Sequence, residues 1–60
     1  MDYDIYAYDK DYHKELLVTV NDRNLAEYVL DLFSDLAENG NLHMKNGDAV
    51  NFVSLETEDE

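Results

Sequence analysis

The chain contains no cysteine, only four basic residues and no long apolar run. The lack of cysteine excludes disulfides, and without Cys clusters or a His-rich run we expect no structural metal and no cofactor. No apolar segment approaches the roughly 20 residues that span a bilayer. The N-terminal segment is acidic where a secretory signal would be basic. We therefore expect a cytoplasmic protein.

Acidic side chains, by contrast, are abundant. Asp and Glu number 15 against four Lys and Arg, which gives a net charge of −11. Apolar residues still make up 45% of the chain, enough for a core and too many for a disordered acidic tail. This charge disfavours nucleic acid and anionic membranes as direct partners and favours a basic protein surface. Sixty residues make one domain of marginal stability, which oligomerisation would reinforce.

Residue patterns predict two strands at the start of the chain. Residues 3–8 alternate between two faces, and residues 15–20 repeat this pattern after a polar break. The segment 3–20 is therefore expected to form an antiparallel hairpin. In the first strand Tyr3, Ile5 and Ala7 share one side. In the second strand Leu16, Val18 and Val20 are expected on the core face.

A helix is predicted to follow, starting between residues 21 and 24. Asn24 with Glu27 three residues later forms a weak capping box, and Gly40 suits the left-handed residue that ends a helix. An apolar stripe at i, i+4, i+7 and i+11 is expected to face the core. This stripe is Leu25, Val29, Leu32 and Leu36.

The segment after the helix carries an Asn-Gly signal between apolar runs, which predicts a second hairpin. A two-residue loop at 46–47 would pair Met44 with Ala49, whereas a three-residue loop at 45–47 would pair Met44 with Asp48. The three-residue loop is favoured because it collects the large apolar side chains on one face. These side chains are Leu42, Met44, Val50 and Phe52.

These elements predict an α+β fold. It consists of an antiparallel sheet of three to four strands with one helix packed on it, in the order ββαβ or ββαββ. A single domain is expected at residues 1–55, followed by an acidic, frayed tail at 56–60.

The sequence shows no catalytic constellation, and we expect no enzyme. Asp9, Asp11 and His13 resemble the start of a calcium loop. However, Lys14 replaces the glycine of such a loop and Val20 replaces its bidentate glutamate. A polar hairpin turn is the preferred interpretation.

The helix acids form the main candidate binding surface. Glu27, Asp31, Asp35 and Glu38 fall within about 80° of helical arc, and no Lys or Arg lies between Arg23 and Lys45. Successive carboxylates are about 4.5–6 Å apart along the axis, close to the phosphate spacing of a nucleic-acid strand. Because like charges at i, i+4 destabilise a helix, their presence favours a role in binding. A second group of candidate phosphate mimics is Asp2, Asp4, Asp9 and Asp11.

The chain is similar to small phage-encoded DNA mimics, especially phage inhibitors of uracil-DNA glycosylase and, more loosely, small anti-CRISPR proteins. The similarity covers residues 3–55 in topology and charge, and includes "YDI" opening the first strand, an acidic first turn and a Tyr-containing helix. The resemblance implies an inhibitor that blocks the nucleic-acid site of a DNA- or RNA-binding protein in the host cytoplasm. It also implies a homodimer, and the wide apolar arc of the helix places its interface at Ala26, Leu30, Phe33 and Ala37.

The alternative is a protein–protein interaction module, such as an antitoxin-like or adaptor domain. Its contacts would come from the apolar flank or from tyrosines, while the charge would only maintain solubility. Binding that weakens steeply with salt would favour the mimic, and binding that resists salt would favour the module. The candidate contact tyrosines are Tyr3, Tyr6, Tyr8, Tyr12 and Tyr28.

Overall fold

A computed structural model describes residues 1–57 and contains three strands and one helix. The strands are β1 (Tyr3–Tyr8), β2 (Lys14–Val20) and β3 (Phe52–Thr57), and the helix α1 spans Arg23–Glu38. The strands form one antiparallel sheet in the order β2-β1-β3, and α1 packs on one face of it. The predicted α+β fold is confirmed.

The central strand, β1, separates a buried face of the sheet from an open one. Ile5 and Ala7 are fully buried on the face that α1 covers. Asp4, Tyr6 and Tyr8 alternate with them and lie on the opposite face. We call this opposite side the outer face, and within residues 1–57 no helix covers it.

A β-bulge in β2 changes part of the predicted core. Ile5 pairs with Val18, yet the next residue, Tyr6, pairs with Leu16, so Leu17 is an extra residue in the ladder. An extra residue moves the side chains beyond it to the other face of the sheet. Leu16 therefore lies on the outer face and is 48% exposed, while Leu17 packs against the core. The prediction that Leu16 belongs to the core is wrong for this reason.

Helix α1 is capped at both ends. The Asp22 carboxylate accepts the N–H of Leu25 at 3.3 Å, so the N-cap is Asp22 and not Asn24. Gly40, at φ 73°, is the left-handed residue after the helix, as predicted, and its N–H donates to the Ala37 carbonyl at 3.1 Å. The helix is therefore held at a defined length.

The stripe of α1 that faces the sheet differs from the predicted one. Ala26 is fully buried and Ala37 packs against the core. Leu30 and Phe33 share this helix face and are half-buried. The two alanines are small enough to let the helix backbone approach the sheet, which leaves the larger predicted stripe outside. This corrects the assignment of a dimer interface to Ala26, Leu30, Phe33 and Ala37, because that stripe packs on the protein's own sheet.

Residues 41–51 form a turn over one end of the core and not a full fourth strand. The N–H of Met44 donates to the Asp48 carbonyl at 2.7 Å, and Gly47 has φ 95°, so the three-residue loop is confirmed. Met44 and Val50 are buried against Ala7. Pairing in this turn is limited to one isolated bridge, between His43 and Ala49.

Strand β3 differs from prediction at both ends. Phe52 was expected beside Met44, but it pairs with Tyr8 and lies on the outer face. Since the turn and β3 do not form one continuous strand, the alternation of the turn does not carry over to Phe52. Glu56 and Thr57, expected in a frayed tail, end β3. The rest of that tail, 58–60, lies outside the described residues.

Candidate partner-binding surface

The outer side of α1 carries four exposed acids, which we call the acid row: Glu27, Asp31, Asp35 and Glu38. On a helical wheel the centre of this row lies about 130° from the stripe that faces the sheet. Packing on the sheet therefore leaves all four carboxylates in water. They lie on a single capped helix, so their relative positions are set by helix geometry.

Little positive charge compensates the acid row. The Nε of Arg23 lies 3.2 Å from Oε2 of Glu27, with both side chains largely exposed at 72% and 55%. An exposed pair of this kind contributes little and is screened by salt. Among residues 1–57, the other three carboxylates of the row form no ion pair. The row therefore presents at least three uncompensated negative charges.

The second predicted group of acids does not form one surface. Asp4 is 3% exposed, and its carboxylate accepts the hydroxyl of Thr19 at 2.8 Å. Asp9 is 2% exposed. Asp2 and Asp11 are exposed. Because a buried carboxylate cannot contact a partner, Asp4 and Asp9 are removed from the set of phosphate mimics. Without them Asp2 and Asp11 lose their phosphate-like spacing, so the second group is no longer counted as a mimic surface.

Asp9 organises the turn between β1 and β2. Its Oδ1 accepts the N–H groups of Asp11 and His13, both at 2.9 Å, and its Oδ2 lies 2.9 Å from Nδ1 of His13. The hydrogen bond from the His13 backbone, together with its ring, lowers the pKa of Asp9, and the hydrogen bond to Asp9 raises the pKa of His13. The same turn holds Tyr12 at φ 64°, a left-handed conformation that bulky residues rarely adopt.

Asp9, Asp11 and His13 also place potential metal-ligand atoms within 4.8 Å of one another. Both oxygens of Asp9 already accept hydrogen bonds inside the turn. The cluster is therefore accounted for as a hydrogen-bonded turn, in agreement with the polar hairpin turn preferred from the sequence.

A row of apolar side chains runs beside the acid row. We call it the leucine row, and it consists of Leu25, Val29, Leu32 and Leu36. Its three leucines are 49%, 47% and 40% exposed in that order, and Val29 is half-buried. Tyr28, 63% exposed, lies between the two rows on the wheel. A contiguous exposed apolar strip of this kind is typical of an interaction site. The sequence pattern had assigned it to the core.

The outer face of the sheet is a second uncovered surface, and it is aromatic. The rings of Tyr8 and Phe52 stack with centroids 4.8 Å apart, and the ring of Tyr12 meets Phe52 edge-on at 6.1 Å. Tyr12 is 71% exposed. Of the other candidate tyrosines, the half-buried residues are Tyr6 on this face and Tyr3 on the opposite face.

Hydrogen bonds organise the outer face. Glu56 accepts from the Tyr8 hydroxyl at 2.7 Å and from Lys14 Nζ at 3.0 Å. Lys14 Nζ also lies 4.2 Å from the centre of the Tyr6 ring. The bonds from Tyr8 and Lys14 lower the pKa of Glu56, and the bond to Glu56 raises the pKa of Tyr8. The charges of Lys14 and Glu56 on this face are therefore paired, in contrast to most of the acid row.

Comparison with known proteins gave no match to a family model, to a curated protein or to a solved structure. No helix among the described residues is long and apolar enough to cross a bilayer.

Proposed function

We propose that the protein is a non-enzymatic inhibitor whose acid row mimics DNA phosphates and blocks the nucleic-acid site of a basic protein. The observation that carries this proposal is the exposure of four carboxylates on one helix face with a single exposed arginine as counter-charge. From the first to the last, the carboxylates extend over about 16 Å of helix. Their steps of about 4.5–6 Å resemble the repeat of charge along one nucleic-acid strand.

The rigidity of the row supports this function. Because α1 is capped by Asp22 and closed by the turn at Gly40, the backbone that carries the carboxylates is already ordered before a partner binds. A flexible acidic tail would lose conformational freedom in the same contact. Fixed negative charge also accelerates encounter with a Lys- and Arg-lined groove, and this effect falls with ionic strength.

The target class is a DNA- or RNA-binding protein of a host cell, such as uracil-DNA glycosylase or a CRISPR effector. The similarity of charge and strand order to phage-encoded inhibitors motivates this choice. A protein with such targets would act in the host cytoplasm.

Mutual exclusion tests the proposal. The tagged protein would first recover its partner from a nuclease-treated bacterial lysate, with identification by mass spectrometry. Labelled DNA and the protein would then be titrated together onto the purified partner. We expect each to displace the other, with an affinity that falls as salt rises. A ternary complex of partner, DNA and protein would contradict mimicry.

A second candidate function is an interaction module that binds through the outer face. The observation that favours it is Tyr12, which is held at φ 64° yet remains 71% exposed. When a residue has a strained backbone and a side chain that remains exposed, the strain is more often retained for binding than for stability. Stacking beside Phe52 makes this ring part of an aromatic surface of the kind common at protein interfaces.

Substitution at Tyr12 separates the two functions. Tyr12→Gly removes the ring and relieves the left-handed backbone conformation, so the fold is expected to remain stable. Binding through the outer face would then be lost, whereas binding through the acid row would be unchanged. Tyr12→Phe keeps the ring and serves as the matched control.

A further inference from the structure

The sheet has two outer strands, β2 and β3, and they differ in how open their free edges are. β2 is interrupted by the bulge at Leu17, and bulges commonly keep an edge strand from pairing with another chain. β3 pairs with β1 in unbroken register over all six of its residues. Its sequence, FVSLET, contains neither Lys nor Pro, the residues that most often block an edge. The edge of β3 is therefore the one that can accept a further strand.

Hydrogen bonds of β1 show which backbone groups of β3 point outwards. The N–H of Asp9, which follows β1, donates to the His13 carbonyl on the side of β2. Because successive residues of a strand direct their backbone groups to opposite sides, those of Tyr8 point towards β3, where its carbonyl accepts the N–H of Asn51 at 2.7 Å. The partner of Tyr8 in the ladder is Phe52. Phe52 and every second residue after it therefore bond to β1.

The remaining residues of β3, which are Val53, Leu55 and Thr57, direct their backbone N–H and carbonyl groups away from the sheet. Among residues 1–57 no hydrogen bond reaches these groups. Their side chains lie on the face that α1 covers, because Val53 is opposite Ala7 and Leu55 is opposite Ile5. The free edge thus carries donors and acceptors that repeat about every 6.6 Å, and another strand can pair with them.

A groove of about 230 Å³ lies between α1 and the start of β3. Its helix wall consists of Ser34, Ala37 and Glu38, and its strand wall consists of residues 51–53. Since its walls contain no residue of β1 or β2, the groove opens on the outer side of β3. On the helical wheel Ser34 and Glu38 lie between the sheet-facing stripe and the centre of the acid row. A strand added to β3 would therefore lie on the side of α1 that carries the acid row.

We propose that an extended segment of a basic partner protein pairs with β3 as a fourth, antiparallel strand, with Lys or Arg at every second position facing the acid row. Antiparallel pairing is the arrangement of the whole sheet. Opposite residues of such a pair share a face, so the side chains opposite Val53 and Leu55 point towards α1. They repeat about every 6.6 Å, near the 4.5–6 Å steps of the acid row, and the long Lys and Arg side chains absorb the difference.

Charge complementarity selects a basic segment over other strands. The acid row has a single exposed arginine as counter-charge, and the whole chain carries −11. An acidic segment would be repelled, and a second copy of β3 has no Lys or Arg to offer the row. Backbone pairing contributes affinity, and the acid row contributes the choice of sequence. This site goes beyond phosphate mimicry, because it requires no nucleic-acid site on the partner.

Hydrogen exchange of the full chain with a model peptide tests the strand site. The probe is the end-blocked heptapeptide TKVKVKT, whose three lysines share one face when the peptide is extended. At saturating peptide we expect the amide exchange of Val53 and Leu55 to slow by at least about tenfold relative to Ser54, whose N–H already bonds to β1. No binding at millimolar peptide, or binding without this protection, would overturn the proposal.

Methylation of the peptide backbone separates strand pairing from attraction between charges. In the proposed register the N–H groups of the lysines point at β3, and those of the valines point away from it. N-methylation of the three lysines should weaken binding by at least about tenfold, whereas N-methylation of the two valines should leave it within about threefold. The three peptides have the same charge. Equal affinities would mean that charge alone holds the peptide, which contradicts strand pairing.

Two charge-matched variants of the chain test the role of the acid row. Glu27→Gln/Asp31→Asn/Glu38→Gln removes the acids of the row that lie nearest the sheet on the wheel, and it should bind TKVKVKT at least about tenfold less well. The control has the same loss of charge at exposed positions elsewhere and should stay within about threefold of wild type. It is Asp2→Asn/Asp11→Asn/Asp48→Asn. Equal losses in the two variants would contradict a contact between the lysines and the acid row.

The peptide assay is independent of the proposed function, because it contains neither DNA nor a nucleic-acid-binding protein. Failure of strand pairing in this assay leaves phosphate mimicry standing. Conversely, protection of Val53 and Leu55 by the peptide establishes the strand site even if the protein and DNA bind their partner together.

Discussion

The acids of α1 and the acids of the N-terminal hairpin have the same charge and opposite surroundings. Asp31 and Asp35 are exposed on the helix face, with like charges as their i, i+4 neighbours. Asp4 and Asp9 are almost fully buried, and each accepts hydrogen bonds from nearby groups. The hairpin acids therefore stabilise the fold, whereas the helix acids oppose it weakly and remain available to a partner.

This contrast shows that a count of acids does not identify a binding surface. A carboxylate with its oxygens already bonded to backbone N–H groups offers little to a lysine or arginine of another protein. Sequence spacing placed both groups at phosphate-like intervals, and only burial and hydrogen bonding separate them. The separation can be tested by removing one acid at a time.

Asp9→Ala should have the largest effect on stability. It leaves two backbone N–H groups of the turn without their acceptor and removes the partner of His13. We expect the melting temperature to fall by roughly 5–10 °C. Asp31→Ala, the matched helix variant, should melt within about 2 °C of wild type or above it. If both variants lower the melting temperature equally, the hairpin acids and the helix acids do not differ in their effect on stability.

Asp31→Lys should have a smaller effect, in the stabilising direction. It converts the repulsive pairs with Glu27 and Asp35 into attractive i, i+4 pairs. Thermal unfolding followed by circular dichroism should show a rise of roughly 2–5 °C. Added salt should raise the melting temperature of wild type more than that of this variant. Asp48→Lys, with the same charge change on an exposed turn, should gain less. A loss of stability in Asp31→Lys would mean that the row does not repel itself.

The smallest expected effect is the pH dependence that His13 gives the hairpin. Its raised pKa means that its stabilising contribution is complete below about pH 6.5, the usual value for histidine, and is lost as the pH rises through the folded value. The lowered pKa of Asp9 has the opposite sign, so its contribution is lost only in acid. The His13 side chain is 72% exposed, so we expect a fall of only about 1–2 °C between pH 6 and 8.

His13→Gln should lose this dependence, and His43→Gln should keep it. Melting curves at constant ionic strength make the comparison. If the melting temperature of His13→Gln falls between pH 6 and 8 as much as that of wild type, the pH dependence comes from other groups.

The elements of the fold could be predicted because they depend on local patterns. Alternation identified β1, and the left-handed glycines identified the end of α1 and the three-residue turn at 45–47. It was harder to predict which side chains of β2 and α1 face the core. One bulge at Leu17 reversed the side of Leu16. The sequence predicts two apolar stripes on α1 and assigns the core to the one that starts at Leu25, whereas the structure buries the stripe that contains Ala26.

The candidate surface was predictable only in part. The acid row follows from helical periodicity alone, so its members share one exposed face. The roles of Asp4 and Asp9 depend on Thr19 and on the backbone of the turn, which no spacing rule reveals. The stacking of Phe52 on Tyr8 depends on the pairing of β3 with β1, a contact between residues far apart in the chain.

The most direct test of the central claim compares two charge-matched variants in DNA competition for the identified partner. One is Asp31→Asn/Asp35→Asn/Glu38→Gln in the acid row, and the other is Asp2→Asn/Asp11→Asn/Asp48→Asn at exposed positions elsewhere. Each removes three of the negative charges that make up the net −11. We expect the acid-row variant to compete at least about tenfold less well, and the other to stay within about twofold of wild type. If both variants lose the same ability to compete with DNA, or if the acid-row variant loses none, the claim that the helix acids mimic phosphates is contradicted.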